Sequence, residues 1–332
     1  MYAKDLPIID FSHFRGDAGA RAGLIGEIGR AGTDTGFFYL TNFRIDPGRV
    51  AEVFAQSRAF FALPLARKSE LLLDCTNRGY DGLEAQSFHP GQPGDLKESF
   101  RFTAEPDVRN RPALEAAWSF LANQPNKWPA DMPGFRDVLL SFLSDCGDLV
   151  DDILAALEES LAMPGLMLTQ HHIRRNYTMR LLRYPAIQGP VKAGQQRCGE
   201  HTDWGTMTLL FQGGQGSLEV CRRSGEWTPA PPLADCVLVN IGDQLQAWTG
   251  GRLVSTPHRV RAGLSPDAAV DRYSIALFCF ADFDAAIDIG DAHTSGDYVL
   301  SKLQATQKTG TVVDNVVGTP APDREHRESV AG

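Results

Sequence analysis

The chain has 332 residues, with 43% hydrophobic and 22% charged content, and so resembles a soluble globular protein long enough to bury a sizeable core. Its 41 acidic and 32 basic side chains leave a net charge of −9, which argues against nucleic acid or an anionic membrane as the main partner. No apolar run approaches the roughly 20 residues that span a bilayer, and Met1–Pro7 contains no signal-peptide apolar core. The cysteines are scattered without a Cys-x-x-Cys, so reduced thiols in a cytoplasmic protein are the expectation.

In chain order, Leu6-Pro7-Ile8-Ile9-Asp10-Phe11 reads as a short strand, 20–32 as a helix, and Gly36-Phe37-Phe38-Tyr39-Leu40 as a second strand. Residues 47–73 carry apolar positions at helical spacing, with Pro64 dividing two helices. Residues 77–110 are rich in Gly and Pro and predict loop with short strands. A long helix over 132–161 follows, its stripe running Val138, Phe142, Cys146, Leu149, Ile153, Leu157 and Leu161. Pro133 suits its first turn, and Pro164-Gly165 supplies the stop.

From Tyr177 the pattern changes to short β runs at 179–184, 206–212, 218–221, 237–241, 253–260 and 272–280, separated by turn signals. Helices first and a β core second predict one α+β unit built around a sandwich or jelly roll. Its expected extent is 1–318. Within it, 1–165 would be a mainly helical region packed on the core, 176–285 would be the β core itself, and a polar tail would occupy 319–332.

The chemistry gathers at Gly199-Glu200-His201-Thr202-Asp203-Trp204-Gly205. In extended chain His201 and Asp203 project to one side and Thr202 to the other. With His258 they make a two-histidine, one-carboxylate set, the arrangement that holds non-haem Fe(II) and leaves an opposite face open. His-x-Asp alone is weak, and a packed core histidine is commoner than a ligand. Arg272-Tyr273-Ser274 raises the odds, because Arg272 and Ser274 share a strand face and offer a carboxylate a charged fork beside a hydroxyl. An arginine capping a surface strand fits less well, since Ala276, Phe278 and Phe280 continue that face. Arg180, Leu182 and Tyr184 share a face likewise, so Arg180 and Tyr184 are further candidate carboxylate donors.

Together with Leu6-Pro7-Ile8-Ile9-Asp10, Gly36-Phe37-Phe38-Tyr39, Asn240-Ile241-Gly242-Asp243 and Ser255-Thr256-Pro257-His258-Arg259-Val260, these motifs resemble the isopenicillin N synthase-like branch of the Fe(II)/2-oxoglutarate-dependent oxygenases. The resemblance spans nearly the whole chain. Within that branch, 179–185 and 249–258 are most similar to bacterial ethylene-forming enzymes, although Tyr184 and Trp204 stand where those have Phe and Tyr.

The resemblance implies a double-stranded β-helix with flanking helices. It also implies iron held by His201, Asp203 and His258, and 2-oxoglutarate held by Arg272 and Ser274 with Tyr184 assisting. Dioxygen would be the co-substrate and a small molecule the substrate, hydroxylated or desaturated. Trp204, Glu84, Phe100, Arg180 and Phe280 are candidate substrate contacts. The alternatives are ethylene-forming cleavage of 2-oxoglutarate, an iron oxidase that takes no 2-oxoglutarate, and a non-catalytic binding protein on the same scaffold. Gly213-Gly214-Gln215-Gly216 lacks the lysine of a phosphate loop and reads as a hairpin turn, and His171-His172 has no partner at ligand spacing.

Overall fold

The computed structural model describes residues 6–74, 76–87, 91–105, 124–163, 165–214, 216–262 and 269–306. The expected tail at 319–332 lies outside them, as does Gln215 of the expected hairpin turn.

Strand β1 (Ile8–Asp10) runs parallel to β2 (Phe37–Thr41). Between them lies α1 (Ala18–Asp34), whose first turn is capped by the Asp17 side chain accepting from the Ala20 N–H. Helix α2 (Pro47–Phe61) starts on a proline, where no intrahelical donor is needed, and Pro64 precedes the short α3 (Leu65–Ser69). Strands β3 (Gly79–Asp81) and β4 (Glu98–Thr103) follow, and then the long α4 (Phe135–Leu161). The stripe of α4 is buried as its spacing predicts, apart from Val138, which is half-buried against the same core.

The second half supplies β5 (Asn176–Tyr184), β6 (Cys198–His201), β7 (Met207–Gly213), β8 (Leu218–Cys221), β9 (Trp227–Pro229) and β10 (Cys236–Ile241). A short α5 (Asp243–Trp248) precedes β11 (His258–Val260) and β12 (Arg272–Phe280). The hairpin β13 (Ala286–Ile289) and β14 (Ala292–Thr294) leads into α6 (Ser295–Thr306).

Among the described residues, eight strands form one sheet in the order β1-β2-β10-β7-β12-β5-β4-β3, and β6-β11-β8-β9 form a second. Residues 1–165, expected to be mainly helical, thus also supply four strands at the two margins of the large sheet. Strands β1 and β2 fall where strands are expected, at 6–11 and 36–40, and β3 and β4 fall in the stretch expected to hold loop and short strands. Strand β3 is three residues long and β4 places Glu98 and Arg101 among its aromatics, so neither of these two has a clear alternating pattern. The run expected at 253–260 shortens to three residues, because Pro257 has no N–H to give the ladder.

Strand alternation sorts the large sheet's two faces. Met179, Leu181, Leu209, Phe211, Val239, Ile275 and Leu277 turn outward into one core with α1, α2 and α4. Their neighbours Leu182, Tyr184, Leu238 and Ala276 turn inward and pack with Cys198, Leu218, Val220 and Val260 of the second sheet. Two sheets face each other with helices behind one of them, which is a double-stranded β-helix of α+β class. No helix among the described residues is long and apolar enough to cross a membrane.

Among the described residues, His171 and His172 belong to no group that could hold a metal ion. His171 stacks on Trp248, and His172 is buried with Nδ1 2.6 Å from the Leu168 carbonyl and Nε2 2.9 Å from Thr206 Oγ1. Burial pushes the His172 pKa down to about 4. The unfolded chain, with histidine near 6.5, therefore binds the proton first as pH falls. Stability is full above pH 6.5 and declines toward pH 4, by about 3 kcal/mol for this group. Chemical denaturation across that range is expected to show a shallower pH dependence for His172→Gln than for the wild type.

Candidate active site

The register of the second sheet sets the two histidines opposite one another. His258 on β11 pairs directly with His201 on β6, and their ring centroids are 4.3 Å apart. Asp203 follows β6 in a tight loop. Its Oδ1 lies 3.8 Å from His201 Nε2 and 3.7 Å from His258 Nε2. The ligand atoms of all three lie within 4.8 Å of one another, a group that could hold a metal ion.

The surrounding hydrogen bonds orient this set. His201 Nδ1 is 2.7 Å from the Gly199 carbonyl, and His258 Nδ1 is 3.1 Å from the Thr256 carbonyl. A carbonyl only accepts, so each Nδ1 carries the proton and each Nε2 turns a lone pair toward Asp203. Asp203 Oδ2 accepts from Thr208 Oγ1 at 2.6 Å and from Asn240 Nδ2 at 2.7 Å, which leaves Oδ1 directed at the histidines.

Burial, then the neighbouring His201, hold the His258 pKa down at about 4, and burial lowers that of His201 too. Burial alone would raise the Asp203 carboxyl. His258, His201, Thr208 and Asn240 together outweigh it, and the net displacement is downward. Two neutral imidazoles and one carboxylate are thus presented at neutral pH, as a divalent cation requires. Asn240→Ala removes one orienting donor and is expected to weaken Fe(II) binding by about 10–100-fold, as measured by equilibrium titration under anaerobic conditions.

Glycine makes the ligand loop possible. A Cβ at Gly205 would meet the Cys279 carbonyl at 2.0 Å, and one at Gly242 would meet the Gly205 carbonyl at 2.2 Å. This closeness lets the Thr206 N–H reach Cys279 O, the Gly242 N–H reach Thr206 O, and the Asp243 N–H reach Asp203 O, each at 2.8 Å. The loop is stitched to β12 on one side and to the start of α5 on the other.

Deeper in the same pocket, Arg272 and Ser274 project from β12 and are 1% and 0% exposed. Arg272 lies over the Tyr184 ring, 4.7 Å from its centroid, and its Nη2 donates to Gln212 Oε1 at 3.1 Å. Ser274 Oγ is buried without a hydrogen-bond partner among the described residues, at a cost that an incoming acceptor would relieve. Arg180, Trp204 and Phe280 line the pocket as well. Trp204 packs with Phe280, Phe283 and the α6 residues Val299 and Leu303, which form an apolar wall.

Two expected substrate contacts lie elsewhere. Phe100 is fully buried on the face of β4 that carries Phe102, packed against Phe60, Trp128 and Phe135, and it does not line the pocket. Strand parity is the reason, since Arg101 takes the opposite face. Glu84 sits outside the pocket lining on a turn, where it accepts from Lys192 Nζ at 2.6 Å and Gln195 Nε2 at 3.1 Å.

Other pocket residues escaped the sequence reading. Lys97 is buried with its Nζ 2.6 Å from Asp95 Oδ2 and 3.1 Å from Cys198 Sγ. Asp95 and Lys97 share an i, i+2 spacing, the signal that exposed the other pairs, but they lie in a segment without visible strand periodicity. Thr208 and Gln212 had no sequence signal beyond sharing the inward face of β7.

Residues 6–131 match the N-terminal module described as non-haem dioxygenase in morphine synthesis N-terminal, and residues 169–281 match the 2OG-Fe(II) oxygenase superfamily. A 2-oxoglutarate-Fe(II) type oxidoreductase of Metarhizium majus is 31% identical over 290 residues, covering 81% of this chain and 82% of the relative. The chain belongs to the 2-oxoglutarate/Fe(II) oxygenases. A proline hydroxylase of Petromyces alliaceus is 32% identical, with 81% of this chain and 85% of the relative covered. The crystal structure of a full-length Neurospora crassa protein in complex with alpha-KG superimposes with a TM-score of 0.78 at 30% identity, covering 92% of this chain and 98% of that one. As a member of these oxygenases, the chain is an enzyme whose cofactor is Fe(II) and whose co-substrates are 2-oxoglutarate and dioxygen.

Proposed function

We propose that this oxygenase hydroxylates a small organic molecule, with His201, Asp203 and His258 as the iron ligands. Arg272 and Ser274 would receive the distal carboxylate of 2-oxoglutarate, steadied by the Tyr184 ring. The observation that carries this reading is the buried pair at the pocket floor: an arginine fork beside a serine hydroxyl that has no hydrogen-bond partner among the described residues. A carboxylate there would gain charge-assisted hydrogen bonds in a site shielded from water.

When bound, iron and 2-oxoglutarate together with dioxygen supply the oxidising equivalents that yield succinate, carbon dioxide and an oxygenated substrate. The protein's own residues bind and orient. Thr208 and Asn240 fix the Asp203 carboxylate, and the Gly199 and Thr256 carbonyls fix the imidazoles. Trp204, Phe280, Phe283, Val299 and Leu303 exclude water from the side of the pocket near the three ligands. Support for a small substrate comes from relatives: one is named for proline, and the Neurospora crassa protein is also crystallised with thymine.

Anaerobic addition of Fe(II) and 2-oxoglutarate is expected to produce a weak visible charge-transfer band, which His201→Ala removes. Screening amino acids and small carboxylates by mass spectrometry should reveal a product heavier by one oxygen atom. A product lacking two hydrogens would make the enzyme a desaturase, and ethylene in the headspace would return the ethylene-forming reading. Absence of both band and succinate would sink the proposal.

A further inference from the structure

The chain is acidic overall, yet the described pocket lining contains five cations, Arg78, Lys97, Arg175, Arg180 and Arg272, against one carboxylate, Asp203. Most are already engaged. Arg175 pairs with Asp148 and Asp151, Lys97 pairs with Asp95, and Arg78 donates to Thr103 Oγ1 and the Thr76 carbonyl. Arg272 is the residue assigned above to the distal carboxylate of 2-oxoglutarate.

Arg180 is different. Among the described residues its buried Nε has no hydrogen-bond partner, and no carboxylate forms an ion pair with its guanidinium. In register it lies beside Arg101 on β4, whose own charge is committed to Asp81. Burial first, and the Arg101 charge second, push the Arg180 pKa down to about 9. The Asp81 carboxylate, already bound to Arg101, opposes this shift only in part, so an acidic group arriving in the pocket would meet a guanidinium with donors to spare.

The position of Arg180 separates it from the 2-oxoglutarate floor. Along the β5–β12 ladder Arg272 pairs with Tyr184, Ser274 with Leu182, Ala276 with Arg180, and Phe278 with Thr178. Arg180 is thus four residues of strand from the Arg272 level, about 13 Å at the usual rise. Its guanidinium lies 5.1 Å from the centroid of the Phe278 ring. Asp203 is anchored by Thr208 of β7, on the other side of β12. Arg180 thus stands at another level of β5 than the Arg272–Ser274 floor, against Phe278, a residue that also packs on the apolar wall of Phe280 and Trp204.

We propose that Arg180 binds an acidic group of the primary substrate, so that the enzyme acts on a small carboxylate whose apolar body lies against Phe278, Phe280 and Trp204. This inference rests on the 2-oxoglutarate oxygenase reading of the site and adds the substrate class to it. Arg180 is a specificity residue that touches substrate and leaves the co-substrate to Arg272.

The test uses the full-length protein as its anaerobic Fe(II)–2-oxoglutarate complex. Benzoate, phenylacetate and 3-phenylpropionate are compared with their primary amides, by thermal midpoint and by succinate release on admitting oxygen. At least one acid is expected to raise the midpoint and stimulate succinate release while its amide does neither. Arg180→Met should weaken that acid by roughly 10–100-fold, the range for losing a charge-assisted hydrogen bond, and Arg180→Lys should retain part of the binding.

The affinity for 2-oxoglutarate, read from the charge-transfer band, is expected to change little in Arg180→Met and greatly in Arg272→Met. Without ligand, Arg180→Met should fold with a midpoint at or above that of the wild type, because it removes a buried charge that has no ion-pair partner among the described residues. Three results would overturn the inference: amides as effective as acids, a wild-type complex indifferent to every acid, or an Arg180→Met defect in 2-oxoglutarate binding equal to that of Arg272→Met. A wild-type protein that gives no band with 2-oxoglutarate would instead strike at the oxygenase reading beneath it.

Discussion

Asp203→Ala is expected to leave a folded protein with no measurable succinate formation and the largest loss of Fe(II) affinity of any single substitution in the pocket. Asp203 is the only carboxylate among the described lining residues, and it contributes the one formal negative charge of the ligand set. Its loss should exceed the roughly 10–100-fold that follows removal of an outer hydrogen bond such as that of Asn240. Removing it also strands the Thr208 hydroxyl and the Asn240 amide, each of which gives a hydrogen bond to Oδ2. Asp203→Asn separates the two contributions: it keeps the shape but loses the charge, and should bind iron more weakly than the wild type while folding as well. Anaerobic Fe(II) titration with far-UV circular dichroism checks both. Iron binding by Asp203→Ala at near wild-type strength would remove Asp203 from the ligand set.

Arg272→Met should raise the concentration of 2-oxoglutarate needed for half-saturation by roughly 10²–10⁴-fold, the equivalent of losing two charge-assisted hydrogen bonds. Its Fe(II) affinity should stay near that of the wild type, since Arg272 lies on β12, away from the loop that carries Asp203. Ser274→Ala, which deletes one neutral donor to the carboxylate, should cost roughly 10–100-fold, less than Arg272→Met. An Arg272→Met enzyme that saturates like the wild type would show that the distal carboxylate binds elsewhere. The stacked Tyr184 ring predicts a milder defect for Tyr184→Leu, because the ring holds the guanidinium in place without carrying charge.

Much of this was legible in the sequence because the decisive residues obey simple spacing. His201 and Asp203, Arg272 and Ser274, and Arg180 and Tyr184 all lie on one strand face or its continuation, and an alternating side-chain pattern marks such pairs. The long helix was legible for the same kind of reason, since a stripe of apolar residues every three or four positions survives any detail of packing. Partners across strands were not legible. Nothing local in Asp203 reveals that Thr208 and Asn240 hold its outer oxygen, because those contacts depend on the register of β7 against β10. Phe100 shows the limit from the other side. It was a candidate substrate contact by sequence, but only the parity of β4, fixed by pairing with β5, decides that it turns into the helical core. Where Glu84 points is set by a turn and not by a periodic element, so its pairing with Lys192 and Gln195 had no sequence signal.

The alternation along β5 and β12 sets catalysis and stability on opposite sides of the same backbone. Met179, Leu181, Ile275 and Leu277 face the helices, while Arg180, Leu182, Ser274, Ala276 and Phe278 face the pocket. A saturation scan of either strand should therefore beat with a period of two. Positions facing the helices would mainly lower abundance and melting temperature, and those facing the pocket would mainly change turnover, apart from Leu182 and Ala276, which also pack between the two sheets. Such a scaffold can exchange one substrate for another by rewriting every second residue, without reopening the question of how the chain folds.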